Sequence, residues 1–189
     1  YALTVIQDPV EPKLVFLGTE NGLWMSMDEG KTWEQFKNEF PSVSTMDLKI
    51  QEPESALIVG TFGRAIWVLD DLLSLREIAT NRLKKGITAL PINNVVEGEN
   101  KVFQKTKIPF YLSVQPEADI KVKAEVYDPQ NRLINTIETG DVQKGLNYMV
   151  WKLDENSNSL PGAWSDDFSR DIPVLPGEYT IVLHYNAYK

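Results

Sequence analysis

Three charged residues near the middle of the chain are the first candidates for chemistry. Arg64 follows a glycine and precedes an apolar run, so its guanidinium could face a ligand or pair with Asp70 or Asp71. The two aspartates could supply paired carboxylates for acid–base hydrolysis of a glycosidic bond. They are adjacent at the end of an apolar run, however, and consecutive side chains of a strand point to opposite faces. We therefore expect an ion pair for Arg64 and a turn-capping role for the aspartates, with ligand contact as the alternative.

His184 and an acidic loop are further candidates. His184 is the single histidine and alternates with Val182 on one face of the last predicted strand, so we expect a structural histidine that is hydrogen-bonded or half exposed. Residues 165–171 carry many side-chain oxygens that could bind calcium. The loop lacks the glycine-spaced pattern of a known calcium site, so the sequence predicts a solvated loop without a metal, and it predicts no cofactor.

Tryptophan side chains could form a platform on which sugar rings stack. Their positions inside predicted strands favour a place in the core for at least the first three of them. The residues considered are Trp24, Trp67, Trp151 and Trp164.

The composition excludes several kinds of site. With no cysteine the chain has neither disulfides nor a catalytic thiolate, and with one histidine it has no multi-histidine zinc site. The net charge is −8, and residues 1–78 carry 13 acidic and 6 basic side chains. Such an acidic chain is a poor partner for nucleic acid, whose binding depends on neutralising phosphates. No apolar run approaches roughly 18 residues, so no membrane span is predicted.

Residues 26–33 read S-x-D-x-G-x-T-W, a pattern typical of the turn known as an Asp box. The short side chains of Ser26 and Asp28 can accept hydrogen bonds from nearby backbone N–H groups. Gly30 can adopt a positive φ, Thr32 opens the returning strand, and Trp33 supplies a large apolar anchor. The motif predicts a turn that bonds to itself, and it indicates an architecture rather than an activity.

An internal repeat contains this turn. Ile6-Gln7-Asp8-Pro9 matches Ile50-Gln51-Glu52-Pro53, and Trp24 matches Trp67, at an offset of about 43 residues. A period of about 40–45 residues made of short strands is typical of β-propeller blades. The predicted strands of the two copies are 2–6, 14–18 and 23–26, then 46–50, 57–61 and 65–69. The second copy has no Asp box, so we expect the series of blades to end there, within residues 1–78.

The rest of the chain divides into a connector, residues 79–100, and a second β-rich part, residues 101–189. Ser74 and Glu77 fit a capping box for a short helix from Leu75 to about Lys85, which Gly86 would end. Residues 120–127 alternate apolar and polar positions, as a half-buried antiparallel strand does. Five or six such strands in about 85 residues predict a β-sandwich similar to immunoglobulin or fibronectin type III domains. The predicted fold is therefore all-β.

Runs in both parts resemble one family, the bacterial Asp-box (BNR repeat) propeller proteins that are often labelled glycosyl hydrolase or sortilin-like. The run 60–72, G-T-F-G-R-A-I-W-V-L-D-D-L, is similar to the run that closes the propeller in that family. Residues 127–133, residues 145–147 with Trp151, and residues 175–180 resemble its C-terminal β-sandwich. The resemblance covers nearly the whole chain, although Phe62 stands where the family usually has a histidine.

The resemblance implies the C-terminal fragment of an exported protein, secreted or periplasmic, whose earlier blades are missing. Tyr1, which opens the chain inside a strand-like pattern, also suggests a fragment. Two functions stay open: a carbohydrate-active enzyme whose site lies in the missing blades, and a sortilin-like, non-catalytic propeller that binds a peptide or glycan. Sialidase-like propellers gather an arginine triad, a Tyr/Glu pair and an acid, whereas residues 1–78 offer only Arg64 and Arg76. The fragment itself is therefore expected to be structural and non-catalytic.

Overall fold

The computed structural model describes residues 1–37, 40–95, 105–117, 120–155 and 172–185. Within these ranges the chain is all-β apart from one short α-helix, and its strands form several antiparallel sheets, none of which closes on itself. The all-β prediction is confirmed at this level. The chain divides into two compact units, Tyr1–Leu83 and Lys84–Lys189, and both copies of the repeat lie in the first.

The first copy of the repeat forms a four-stranded antiparallel meander. Its strands are β1 (Ala2–Gln7), β2 (Val15–Thr19), β3 (Gly22–Ser26) and β4 (Glu34–Gln35), hydrogen-bonded in that order. Strand β2 is largely buried, as its run of consecutive apolar residues predicts. A tight turn joins β2 to β3, with Thr19 paired opposite Gly22.

The second copy forms a three-stranded meander of β5 (Thr45–Gln51), β6 (Ala56–Thr61) and β7 (Ile66–Leu69). Both copies contain the same irregularity. The β1–β2 register shifts between Ala2 and Thr4, and the β5–β6 register shifts between Thr45 and Asp47. Because these bulges occupy equivalent positions, the repeat in the sequence is also a repeat of backbone geometry.

The two sheets of the first unit approach closely where β2 meets β5. A Cβ atom on Gly18 would lie 2.6 Å from the carbonyl oxygen of Thr45 and 2.6 Å from Cγ2 of Thr4. A side chain at position 18 would therefore force the strands apart, so the close approach requires glycine. Fully buried apolar side chains of this unit include Leu14, Phe16, Leu23, Leu57 and Val59.

Helix α1 (Leu72–Ala79) follows β7 almost directly. The predicted helix, from Leu75 to about Lys85 with Ser74 as its N-cap, is wrong at both ends. Asp71 is the N-cap, and its Oδ1 accepts a hydrogen bond from the backbone N–H of Ser74 at 3.1 Å. The helix starts earlier because Leu72 and Leu75 are both buried, and burying them together requires the first turn to include Ser74.

The second unit contains two three-stranded antiparallel sheets and one short pair of strands in its described part. Its strands are β8 (Ile87–Ala89), β9 (Thr106–Leu112), β10 (Val122–Tyr127), β11 (Leu133–Thr139), β12 (Gly145–Trp151), β13 (Asp154–Glu155), β14 (Ile172–Pro173) and β15 (Thr180–Tyr185). One sheet has the order β11-β10-β15 and the other β12-β9-β8, while β13 pairs with β14.

One buried cluster takes side chains from both three-stranded sheets of the second unit. In β10 the buried residues Val122, Ala124 and Val126 alternate with half-buried ones, so the predicted alternation is confirmed. Strands β9 and β12 contribute Ile108, Phe110, Leu112, Met149 and Trp151. Burial of this many large apolar side chains in one cluster is the main driving force for folding of the unit.

Strand β8 lies in residues 79–100, the segment expected to be a connector. Ile87 pairs with Leu112 and Ala89 with Phe110, so β8 is the third strand of the β12-β9-β8 sheet. At least this part of the segment is integral to the second unit.

Candidate functional site

The turn of residues 26–33 leads from β3 towards β4 and is held by two side chains. Ser26 Oγ accepts a hydrogen bond from Gly30 N at 2.8 Å and donates to Asp28 Oδ1 at 2.8 Å. Asp28 accepts from Thr32 N at 2.8 Å through Oδ1 and from Thr32 Oγ1 at 2.6 Å through Oδ2. Gly30 has a φ of +83°. These are the side-chain-to-backbone bonds that the S-x-D-x-G-x-T pattern predicts.

The same hydrogen bonds fix Asp28 as a carboxylate. Donation by the Thr32 hydroxyl is the largest cause of a pKa lowered from 3.8 to about 2. A catalytic acid needs a raised pKa near the working pH, so Asp28 is unsuited to that role. The turn is anchored further by Trp33 Nε1, which donates to Gly30 O at 2.9 Å, and by Glu29 N, which donates to Lys13 O at 3.1 Å.

Arg64 lies in the hairpin turn between β6 and β7. Thr61 Oγ1 donates to Ala65 O at 2.6 Å across this turn, and Ala65 has a φ of +68°. The Arg64 side chain is exposed. The ion pair expected with Asp70 or Asp71 is absent from the described residues, so the guanidinium faces solvent.

Asp70 and Asp71 lie in different surroundings. Asp71 caps α1 through Oδ1, and its Oδ2 is buried with no hydrogen-bond partner among the described residues. Asp70 is exposed. The predicted capping role is confirmed for Asp71.

A buried ion pair that the sequence did not reveal joins α1 to both copies of the repeat. Arg76 Nε donates to both carboxylate oxygens of Asp8, at 3.0 and 3.1 Å, and Arg76 Nη2 donates to Asp8 Oδ2 at 2.9 Å. Arg76 Nη1 donates to Ser55 Oγ at 3.0 Å. The repeated Ile-Gln-acid-Pro run could have drawn attention to Asp8, but its partner is 68 residues away in the sequence.

The outer face of β10 and β15 carries a cluster of four polar side chains, in which Glu125 contacts the other three. Its carboxylate accepts hydrogen bonds from Lys123 Nζ at 2.6 Å and Tyr127 OH at 2.8 Å, and it contacts His184 Nε2 at 2.9 Å. The Lys123 ammonium is the largest cause of a Glu125 pKa lowered to about 2. Bonding to Glu125 raises the pKa of Lys123 and of Tyr127. None of these three shifts moves a group towards neutral pH, where a general acid or base works best.

His184 behaves as the sequence predicted. Its side chain is 45% exposed and its ring bonds to Glu125 across the two strands. It lies directly opposite Lys123 in the register of β10 and β15. The expected half-exposed, hydrogen-bonded position is thus confirmed.

A cleft of about 670 Å³ in the second unit was not anticipated from the sequence. Residues 92–95 line one part of it and residues 173–181 another. Its polar lining residues include Asn93, Asn94 and Glu178. The Tyr179 ring packs edge-on against Trp151 with centroids 5.4 Å apart, and its hydroxyl donates to Leu175 O. An aromatic side chain beside amide groups is suited to a ligand with both apolar and hydrogen-bonding faces.

Two further expectations concern metals and tryptophans. No group of three or more acidic or histidine side chains that could hold a metal ion occurs among the described residues. The 165–171 loop and Trp164 lie outside that part of the chain. The expected place in the core is confirmed for Trp151. It is wrong for Trp67, which is 36% exposed and packs edge-on against Phe40 at 5.5 Å, and Trp24 is half buried.

Comparisons with known proteins add no relative. No family model, no curated protein and no solved structure matches the chain. No helix in the described ranges has the length and hydrophobicity that a membrane crossing requires.

Proposed function

We propose that the chain is the non-catalytic C-terminal part of an exported Asp-box propeller protein of the glycosyl hydrolase-like type, which binds or acts on carbohydrate. The observation that carries the proposal is the bonded turn 26–33 inside a repeated antiparallel meander. The matching bulges of the two copies support reading residues 1–78 as terminal blades. The core shared by two sheets supports an immunoglobulin or fibronectin-like sandwich within residues 101–189.

The hydrogen bonds made by three carboxylates support the non-catalytic part of the proposal. Asp28 is engaged by Thr32, Asp8 by Arg76 and Glu125 by Lys123, so each carboxylate has a structural partner. Glycosidases instead place two carboxyl groups on either side of the bond to be cleaved. In this proposal the parent's chemistry, where there is any, belongs to blades outside residues 1–189.

The cleft of the second unit is the part of the chain that we assign to ligand contact. It is lined by Tyr179 and Asn94, and an aromatic ring and an amide suit the apolar face and the hydroxyls of a sugar. Its volume is in the range that small-molecule sites occupy, about 300–1,000 Å³.

Binding to a panel of neutral and acidic oligosaccharides, measured by ligand-observed NMR, tests this assignment. We expect at least one saccharide to bind, and Asn94→Ala to weaken it by about tenfold, the effect of losing one good polar contact. The matched control is Gln115→Ala, an exposed amide outside the cleft, which should leave binding unchanged. Equal binding by the two variants, or no saccharide bound at all, would contradict the assignment.

The alternative, a sortilin-like propeller that binds peptides, is favoured by one observation. Strand β7 pairs with β6 on one side and with no described strand on the other, and extended peptides bind to such edges. A peptide panel in the same NMR assay separates the two: peptides that bind where no saccharide does would favour the alternative.

A further inference from the structure

Among the described residues that line it, the cleft of the second unit carries one acid and no base. Glu178 is the only lining residue there with a charge at neutral pH, and none of these residues is a lysine, arginine or histidine. Three lysines are next to lining residues in the sequence, Lys105, Lys107 and Lys152, but they lie outside the lining themselves. A ligand in the cleft therefore meets an acid without a neighbouring base among these residues.

Two further acids act on Tyr179, which lines the same cleft. Partial burial is the largest cause of a raised Tyr179 pKa, and the negative charges of Glu155 and Asp128 raise that pKa further. The acids oppose a negative charge on the hydroxyl because the potential that they create there is negative. The same potential attracts a positively charged group that comes close to the ring.

Contacts on two sides hold the Tyr179 ring in place before any ligand binds. The ring packs edge-on against Trp151 with centroids 5.4 Å apart, and its hydroxyl donates to Leu175 O. Trp151 is fixed in turn, since it is 4% exposed and its Nε1 donates to Asp154 O at 3.0 Å. A ring that is already ordered loses little conformational freedom when a ligand packs against it.

We propose that the cleft selects saccharides that carry a protonated amine, such as glucosamine units without an N-acetyl group. An ammonium group is attracted both to a carboxylate and to the face of an aromatic ring, and Glu178 and Tyr179 supply these two groups side by side in the chain. The inference rests on the proposed function, because it names the class of saccharide for the site already assigned to ligand contact.

The same charges discriminate against acidic saccharides. A carboxylate or sulfate on the sugar would approach Glu178 without a lining base to compensate it, and like charges repel. An N-acetyl group turns the amine into a neutral amide and removes the attraction. The expected order of affinity is therefore amine-bearing, then neutral, then acidic saccharides, whereas a cleft that recognises only the sugar ring would bind all three equally.

NMR titrations of the 189-residue chain with matched disaccharides test this order. The probes share a β-1,4-linked glucose skeleton and carry free amines, N-acetyl groups, hydroxyls or a uronic acid. We expect the free amine to bind about fivefold more tightly than the hydroxyl form, the effect of one exposed charge pair, and this advantage to shrink as salt is added. Equal binding of these two forms would overturn the inference and leave the proposed function intact, whereas binding of no saccharide would overturn both.

Two glutamate variants separate the cleft from the general charge of the chain. The net charge is −8, so a cation could be attracted to many places on the surface. Glu178→Gln should remove most of the advantage of the amine. Glu117→Gln makes the same change of charge at an exposed residue outside the lining and should leave the advantage unchanged. An equal loss in both variants, or no loss in either, would overturn the inference.

Butylammonium, which has the cation but no sugar ring, is the last probe. It should bind about tenfold more weakly than the amine-bearing disaccharide, because it lacks the contacts of the sugar with the rest of the lining. The amide signals of residues 174–181 should move most when the disaccharide is added. Equal binding of butylammonium, or shifts confined to residues outside the cleft, would show that a saccharide amine is not what this site recognises.

Discussion

At the scale of single residues, the clearest lesson concerns Asp28. Its two carboxylate oxygens accept hydrogen bonds from Ser26 Oγ, Thr32 N and Thr32 Oγ1, at 2.6 to 2.8 Å. Such short bonds to a charged acceptor are stronger than those between neutral groups. Asp28, the one carboxylate at a defined position of the motif, therefore holds the backbone of the turn.

Replacing Asp28 by alanine should lower the melting temperature without affecting ligand binding. The turn would lose all three of these bonds, and we expect a decrease on the order of 5 °C for a domain of this size. The control is Glu29→Ala, whose side chain is exposed and pairs only with the exposed Lys31. Differential scanning calorimetry measures both variants. An Asp28→Ala chain with unchanged melting temperature and lost ligand binding would reverse the structural assignment.

Asp28 should also make the first unit sensitive to acid. Its pKa is about 2 in the folded chain and 3.8 as an ordinary carboxyl. A lowered pKa in the folded state means that the unfolded chain takes up the proton first as pH falls. The stabilisation is complete above about pH 4 and is lost as pH falls towards 2. Urea unfolding at several pH values measures the free energy of unfolding. Between about pH 4 and pH 2 this free energy should fall less for Asp28→Ala than for the wild type. An equal fall in both chains would contradict the assignment.

At the scale of elements, α1 matters because Arg76 ties it to both copies of the repeat. Asp8 is 1% exposed and Arg76 is 8% exposed. Removing one member of such a pair leaves the other buried and uncompensated. The bonds from Arg76 to Asp8 and Ser55 thus make the helix part of the first unit's core rather than a flexible link.

Arg76→Met should therefore lower the free energy of unfolding by about 3–5 kcal/mol. Arg82→Met is the matched control, since Arg82 is exposed and its replacement should change stability by less than about 0.5 kcal/mol. Chemical denaturation monitored by tryptophan fluorescence measures both. A similar, small effect of the two substitutions would mean that the buried pair contributes little.

Strands and helices could be predicted from the sequence where a single local pattern determines them. The strands of both copies follow from apolar runs between turn residues, and the alternation in β10 follows from a sheet with one buried face. The start of α1 was not predictable by local rules, because Ser74 and Glu77 also satisfy a capping box and only burial of Leu72 decides between the two starts. The Asp8–Arg76 pair and the cleft depend on residues far apart in sequence, for which local patterns carry no signal.

At the scale of the molecule, the chain consists of two units with separate cores. The described sheets of Tyr1–Leu83 and of Lys84–Lys189 share no strand. Because β8 pairs with β9, the second unit must include residues from Lys84 onwards rather than from about residue 100. Among the described residues of the first unit, no strand pairs with the outer edge of β7.

Residues 84–189, expressed alone, should give a dispersed amide NMR spectrum of a folded monomer, since their core is internal to the unit. Residues 1–83 should self-associate, because blades of a repeat bury apolar surface against neighbours. A shorter piece, residues 100–189, lacks β8 and should be less stable than 84–189. A folded, strictly monomeric 1–83 would contradict the interpretation of this unit as open-ended blades.

The central claim is that the chain takes part in carbohydrate binding without performing hydrolysis. The most direct test incubates the 189-residue chain with the oligosaccharide panel and records, by NMR of the same samples, both binding and the appearance of new reducing ends. The account predicts binding of at least one saccharide and no cleavage above that of buffer. Cleavage by the wild-type chain that is lost in Asp70→Asn or Asp71→Asn would contradict it.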